Sequence, residues 1–206
     1  MLPSLLSSGG PMSWVLLIVG AVALTVFIER LLTYHRARIN TAEFLSGVRT
    51  VLKRGNTVEA ISICDATPGP VPRLVKVAIL NGDKGRDAVR AALEEAGQLE
   101  VPQLEARLNF LATVAQTAPV LGLLGTVLAL INLFESVMYQ GMAITPHDFA
   151  KGMYGGLCST ALGLAIAAFN YIAYNYLVGR VDILVQDMER TGTDALNMVT
   201  ENKQSQ

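Results

Sequence analysis

Charge is scarce in this sequence, and two long stretches contain no charged residue. Charged residues make up 16% of the chain and hydrophobic residues 51%, and neither 108–134 nor 153–178 contains Asp, Glu, His or Lys. A helix of 27 residues reaches about 40 Å, more than the roughly 30 Å of a bilayer's hydrocarbon. Both stretches therefore predict membrane-spanning helices. Because a proton needs a titrating group to cross hydrocarbon, neither predicted span carries protons by itself.

Other absences exclude whole classes of protein. A net charge of −1 argues against nucleic acid as a partner, which would need a basic face. The two cysteines, Cys64 in a polar segment and Cys158 in an apolar one, do not suggest a disulfide. His35 and His147 lie far apart, and we find no nucleophile–base pair, metal-ligand cluster or phosphate loop. The sequence thus predicts no enzyme, cofactor or metal site.

The start of the chain lacks basic residues. Residues 1–13 contain no Lys or Arg, so the positively charged region of a cleavable signal peptide is missing. We therefore expect a first span at 14–32 to be retained, with Trp14 at the interface and with Pro11 and Ser13 at the helix start.

Two charged residues, Glu29 and Arg30, close this first span. Glu29 is either a functional acid inside the membrane or half of an interfacial ion pair with Arg30. Its position at the end of the span favours the ion pair.

The basic residues that do occur are concentrated, with 11 of the 16 between positions 34 and 107. By the positive-inside rule this segment faces the cytoplasm. The sequence predicts an all-α membrane protein with three transmembrane helices and long cytoplasmic helical extensions. The predicted segments are periplasmic residues 1–13, span 14–32, cytoplasmic residues 33–107, span 108–134, periplasmic loop 135–152, span 153–178 and cytoplasmic residues 179–206.

The cytoplasmic segment 33–107 is predicted to be helical. Asn56 is a candidate cap for a short helix, and the prolines of 68–72 indicate a turn. A further helix is expected over 73–80. Another begins near 83–85 and could continue past Pro102 into the second span, with a kink at that proline.

The second and third spans carry polar residues. Counted from the outer ends of the two antiparallel helices, Thr126 is 8 residues deep and Thr160 is 7, so both lie roughly 11 Å inside. They could form part of one polar ring, and Thr117 and Asn170 are further candidates for lining an ion pathway. Equally, each threonine could bond back to a carbonyl of its own helix. The residues expected at tight helix contacts are Pro119, Gly122, Gly125 and Gly163.

Two motifs on separate spans resemble the MotA/TolQ/ExbB proton channel family, nearest to its ExbB and TolQ branches. They are APVLGLLGTV at 118–127 and TALGL at 160–164, followed by Tyr174-Asn175. The resemblance implies a homo-oligomer, most often a pentamer, around an ExbD- or TolR-like single-span subunit whose transmembrane Asp takes the proton. It also implies a TonB- or TolA-like energy transducer and a location in the bacterial inner membrane. Thr126 and Thr160 match the family's pore-lining threonines.

The sequence also departs from the family's pattern. Gly155 stands where some ExbB proteins carry a pore glutamate, and Phe169 where many relatives have a proline. We therefore expect a stator subunit that supplies polar coordination to an acid on its partner and couples proton-motive force to envelope work. TonB-dependent import is the favoured process. The alternatives are a TolQ-type role in envelope constriction and a structural membrane scaffold without ion flow.

Overall fold

A computed structural model describes residues 10–37, 39–140 and 145–204 of the chain. In these ranges the secondary structure is helical, without β-strands, which confirms the predicted all-α class. The helices are α1 (Gly10–Ala37), α2 (Thr41–Lys53), α3 (Thr57–Ala66), α4 (Pro70–Leu80), α5 (Arg86–Glu105), α6 (Leu108–Gln140) and α7 (Pro146–Gln204), with a 3-10 turn at Gly82–Lys84.

Three helical stretches are long and apolar enough to cross a membrane. They are Gly10–Ala37, Arg86–Tyr139, which joins α5 to α6, and Pro146–Glu201. The chain is therefore an integral, all-α membrane protein. Parts of four predicted segments lie outside the described residues, namely 1–9, residue 38, 141–144 and 205–206.

The chain divides into two compact units. The first, which we call the span unit, comprises residues 1–29 and 107–176. The second, the extension unit, comprises residues 30–106 and 177–206. Each is described by itself.

The extension unit is a set of short helices around α4. Val71, Leu74 and Val75 are buried, and α4 packs against α3 and α5. The predicted cap is confirmed, since the Asn56 side chain accepts a hydrogen bond from the backbone N–H of Glu59 at 3.4 Å. The helix predicted over 73–80 begins earlier, at Pro70, because the first turn of a helix needs no proline N–H.

The expectation that α5 continues into the second span is wrong. α5 passes Pro102 but ends at Glu105, and α6 begins at Leu108. Between them Arg107 has a φ of 69°, the one left-handed non-glycine residue in the described ranges. Such a conformation interrupts the helical hydrogen bonds and costs roughly 1–2 kcal/mol for a residue with a Cβ.

In the span unit, α1 packs against both α6 and α7. Leu16, Ala118 and Ala167 form a small buried cluster, one residue from each helix. Phe27 and Phe169 meet edge to face with their ring centroids 6.0 Å apart. Phe169 thus takes part in a contact between α1 and α7.

The first turn of α7 carries a reciprocal cap. The Thr145 hydroxyl donates to the Asp148 carboxylate at 2.6 Å, while the Asp148 backbone N–H donates to that hydroxyl oxygen at 3.2 Å. This arrangement satisfies helix donors that would otherwise lack partners, and it fixes where α7 begins.

Candidate functional site: a threonine pair between two helices

Thr126 of α6 and Thr160 of α7 are joined by a hydrogen bond between their hydroxyl groups. Both side chains are half-buried. Each hydroxyl oxygen also lies within hydrogen-bond distance of a carbonyl oxygen on the opposite helix: Thr126 is 3.0 Å from that of Gly156, and Thr160 is 3.2 Å from that of Gly122. The contact of Thr126 with a carbonyl of its own helix, at Gly122, is longer at 3.4 Å. The two residues that the sequence placed at one depth are therefore in contact, and their role in an ion pathway stays a prediction.

Glycines bring the two helix backbones together at this pair. A Cβ atom on Gly163 would lie 2.6 Å from the carbonyl oxygen of Ala118, and one on Gly122 would lie 3.0 Å from that of Ser159. A Cβ on Gly125 would lie 2.7 Å from the Cβ of Ser159. Only glycine allows so close an approach, which is how helices associate where burial of apolar surface gives no driving force.

Pro119 is half-buried within this region of α6, and the helix continues through it. Its ring removes one backbone donor from the helix, so the carbonyl four residues earlier lacks its usual partner. The residue is accommodated without ending the helix.

The threonine pair offers more acceptors than donors. Two hydroxyl hydrogens are surrounded by the two hydroxyl oxygens and by the carbonyl oxygens of Gly122 and Gly156. One hydrogen suffices for the bond within the pair, and the other satisfies a carbonyl. Toward a third group the pair therefore presents lone pairs. It accepts a hydrogen bond readily, whereas it donates one only when an internal bond breaks.

The other two candidates for an ion pathway, Thr117 and Asn170, each donate a hydrogen bond to a carbonyl of their own helix. The Thr117 hydroxyl is exposed and donates to the carbonyl of Thr113 on its own helix at 2.8 Å. Asn170 is 1% exposed, and its Nδ2 donates to the carbonyl of Ile166 at 2.8 Å. Its Oδ1 is buried without a hydrogen-bond partner, an arrangement that is costly in a protein interior.

The predicted ion pair of Glu29 with Arg30 stays a prediction. Glu29 forms an ion pair with Arg107, 78 positions away, at the left-handed residue between α5 and α6. Arg30 donates to the backbone carbonyl of Gln103 at 3.5 Å.

Sequence reasoning missed a second hydroxyl contact, between Ser13 of α1 and Ser159 of α7. Both side chains are fully buried, and their Oγ atoms lie 3.4 Å apart. Ser13 lies in the first turn of α1, which begins at Gly10, as its predicted place at the helix start requires. The only available signal was that Ser159 immediately precedes Thr160.

The part of the chain that contains Thr126 and Thr160 is similar to known proteins. A family model described as the MotA/TolQ/ExbB proton channel family matches residues 67–190. An ExbB homolog of biopolymer transport from Methanothermobacter thermautotrophicus is 27% identical over 183 residues, covering 88% of this chain and 64% of that protein.

Two bacterial proteins match over shorter stretches. The biopolymer transport protein ExbB of Aquifex aeolicus is 41% identical over 92 residues, covering 45% of this chain and 61% of that protein. The Tol-Pal system protein TolQ of Pseudomonas aeruginosa is 38% identical over 103 residues, covering 50% of this chain and 44% of that protein. The chain thus covers less than two thirds of the length of each of these three relatives.

Proposed function

The chain belongs to the MotA/TolQ/ExbB proton channel family, on the side of its ExbB and TolQ branches, and from this premise we propose that it is a stator subunit of the bacterial inner membrane. With an ExbD- or TolR-like single-span partner it couples the proton-motive force to mechanical work in the envelope. The observation that carries this proposal is the hydrogen-bonded pair of Thr126 and Thr160 across two apolar helices.

In this proposal the partner holds the proton, and this chain supplies hydrogen-bond acceptors. Residues 108–134 and 153–178 offer no Asp, Glu, His or Lys to hold a proton, so the titrating carboxyl belongs to the partner. An acid moved into an apolar span is favoured in its neutral form. The acceptor-rich threonine pair gives that neutral acid a hydrogen-bond partner. A potential of 100 mV supplies about 2.3 kcal/mol per charge to drive the cycle.

We also propose the arrangement of the complex. Copies of the chain form a closed ring in which α6 and α7 face the axis. The resemblance to the family supports a ring of five copies. Apolar residues exposed along these helices, such as Val120, Leu123 and Ile172, support contact with neighbouring copies or lipid. The small residues at Gly122 and Gly163 serve the contact within one protomer.

Reconstitution into liposomes tests the channel. The chain alone should give negligible proton flux, and flux should appear with an Asp-bearing ExbD- or TolR-like partner but not with the partner's Asp→Asn variant. Thr160→Val should abolish that flux while the oligomer persists by native mass spectrometry, and Thr160→Ser should retain part of it. Full activity of a Thr126→Val/Thr160→Val protein would favour the scaffold alternative.

Labelling with an impermeant thiol reagent tests the topology, with the extension unit in the cytoplasm and residues 135–152 in the periplasm. Cys64 is a poor reporter, because it is 3% exposed and burial raises the pKa of its thiol to about 11. We therefore propose Val58→Cys, where the side chain is 79% exposed, and Phe149→Cys, where it is 40% exposed. Only Phe149→Cys should react from outside in spheroplasts. Reaction of Val58→Cys from outside would show that the extension unit faces the periplasm and would contradict the proposed topology.

TonB-dependent import is the process that we favour, and Tol-type constriction is the second candidate because a TolQ also matches the chain. Expression in a bacterium that lacks its own ExbB or its own TolQ separates them. Restored uptake through the outer membrane supports the first, and restored resistance to detergent supports the second.

A further inference from the structure

Ser159 of α7 lies where α1, α6 and α7 meet in the span unit. Its Oγ atom is 3.4 Å from that of Ser13 in the first turn of α1. Toward α6, a Cβ atom added to Gly125 would lie 2.7 Å from the Cβ of Ser159 and 3.0 Å from its Oγ. The same added atom would lie 3.1 Å from Cγ of Met12, so the first turn of α1 also reaches α6 at this level. One serine side chain therefore contacts two other helices.

The hydroxyl groups of Ser13 and Ser159 can form a short chain of hydrogen bonds. In one arrangement Ser13 donates to Ser159, and Ser159 donates to the carbonyl of Gly155 on its own helix at 3.4 Å. Both serines are 0% exposed, so neither lipid nor solvent reaches them within the protomer. Because a buried hydroxyl that loses its hydrogen bond is costly, the packing of α1 on α7 is favoured at the register that brings the two serines together.

The position of Ser159 next to Thr160 has a geometric consequence. The side chains of consecutive residues leave a helix about 100° apart. The Thr160 hydroxyl is bonded to Thr126 of α6, and the Ser159 hydroxyl reaches Ser13 of α1. A helix held by a polar contact in one direction can roll about that contact, whereas polar contacts in two directions at the same level oppose the roll. The contact between the serines thus keeps Thr160 turned toward Thr126.

We infer that Ser13 and Ser159 are positioning residues, which fix the rotation of α7 and so hold the hydroxyl of Thr160 against that of Thr126. They act through Thr160 rather than on the proton. The fixed rotation of α7 is a property of one protomer, and only its consequence for proton flux rests on the proposed function.

Two substitutions at Ser13 separate the effect of its hydroxyl from the effect of its size. Ser13→Thr retains the hydroxyl and adds a methyl group, whereas Ser13→Val has nearly the same shape without the hydroxyl. Strain from the added methyl group is common to both, so the difference between them reports the hydrogen bond. Ser136→Thr and Ser136→Val are the matched controls, because Ser136 is exposed on α6 and donates to the carbonyl of Asn132 on its own helix at 2.8 Å.

Disulfide formation measures the rotation of α7 without any measurement of flux. In a background with Cys64→Ser and Cys158→Ala, the variants Thr126→Cys and Thr160→Cys place two thiols where two bonded hydroxyls lie. Side chains in such contact hold their Cβ atoms near the separation that a disulfide requires. The reaction with a mild oxidant is followed by the loss of thiols that a maleimide can label after denaturation.

In this background Ser13→Val should slow disulfide formation roughly three-fold relative to Ser13→Thr, which is the average strength of a hydrogen bond between membrane helices expressed as a ratio. The two variants of Ser136 should react at equal rates. Equal rates for the two variants of Ser13 would overturn the inference.

Proton flux into liposomes that also contain the Asp-bearing partner gives a second measurement, made with Thr126 and Thr160 intact. Ser13→Val should lower the flux per assembled complex roughly three-fold relative to Ser13→Thr, while native mass spectrometry shows the same oligomer for both. A role in folding alone would reduce the amount of complex and leave the flux per complex unchanged, and that result would overturn the positioning role.

The positioning role and the proposed function fail differently. Slower disulfide formation in Ser13→Val, with no partner-dependent flux from the unmutated chain, would retain the role of the serines and refute the channel. Partner-dependent flux from the unmutated chain, with equal disulfide rates for Ser13→Thr and Ser13→Val, would retain the channel and refute the role of the serines.

Discussion

In the span unit, α6 and α7 meet through glycines, backbone carbonyls and hydroxyl groups, whereas α3, α4 and α5 of the extension unit meet largely through branched apolar side chains. The difference follows from the solvent. In water, each buried Leu or Val is favoured by removal of its apolar surface, but lipid offers an apolar environment to both the separated and the packed helix. Contacts between spans therefore depend on close fit and on polar groups that have no better partner in lipid.

The largest expected effect is in the extension unit, from Leu74→Ala. Leu74 is 3% exposed, and removing a buried leucine side chain costs about 2–5 kcal/mol. Amide hydrogen exchange across α4 should report the loss. Leu80→Ala on the same helix, where the side chain is 55% exposed, is the control and should change exchange little. Similar losses for both would mean that α4 is not held by its apolar core.

The next effect is in the span unit, from Gly163→Ala. The added methyl would meet the carbonyl oxygen of Ala118 at 2.6 Å, and overpacking of this kind costs about 1–3 kcal/mol. Gly179→Ala is the matched control on the same helix, since a Cβ there meets nothing within 4 Å. Unfolding by sodium dodecyl sulfate, followed by circular dichroism, should show a lower midpoint for Gly163→Ala alone. Equal midpoints would show that the contact between α6 and α7 can relax.

A smaller effect is expected at Arg107, where the span unit begins again after the extension unit. Arg107→Gly relieves the left-handed strain and Arg107→Ala does not, while both remove the ion pair with Glu29. Arg107→Gly should therefore be more stable than Arg107→Ala by about 1 kcal/mol in the same unfolding assay. Greater stability of the alanine variant would contradict the left-handed conformation.

The smallest effect is expected for the surface ion pairs of the extension unit. Arg90 and Glu94 lie 3.0 Å apart with side chains 72% and 63% exposed, and such pairs contribute about 0.5 kcal/mol or less. A double-mutant cycle of Arg90→Ala and Glu94→Ala, read by hydrogen exchange of α5, should give a coupling energy near zero. A coupling energy above about 1 kcal/mol would show that this ion pair stabilises the extension unit more than an exposed pair is expected to.

The sequence was informative where a feature depends on neighbours in the chain. Asn56 predicted a cap because a cap needs only the next three residues, and the depths of Thr126 and Thr160 could be counted from the ends of two antiparallel helices. The choice of Arg107 as the partner of Glu29, and of Ser159 as the partner of Ser13, depends on how distant helices pack. Neither partner is encoded in local spacing. The early start of α4 at Pro70 does not follow from the sequence pattern, because prolines favour both a turn and the first turn of a helix.

The hydroxyl pair has one more property, which concerns its direction. The hydroxyl hydrogens of Thr126 and Thr160 can be arranged in two orders. In the first, Thr126 donates to Thr160, which donates to the Gly122 carbonyl. In the second, Thr160 donates to Thr126, which donates to the Gly156 carbonyl. Passage from one order to the other reverses the local dipole while every heavy atom stays in place. Hydroxyl rotation belongs to the fast end of protein motion, far ahead of the microseconds to milliseconds of helix movement. The polarity of the site can thus follow an arriving charge before any helix has turned.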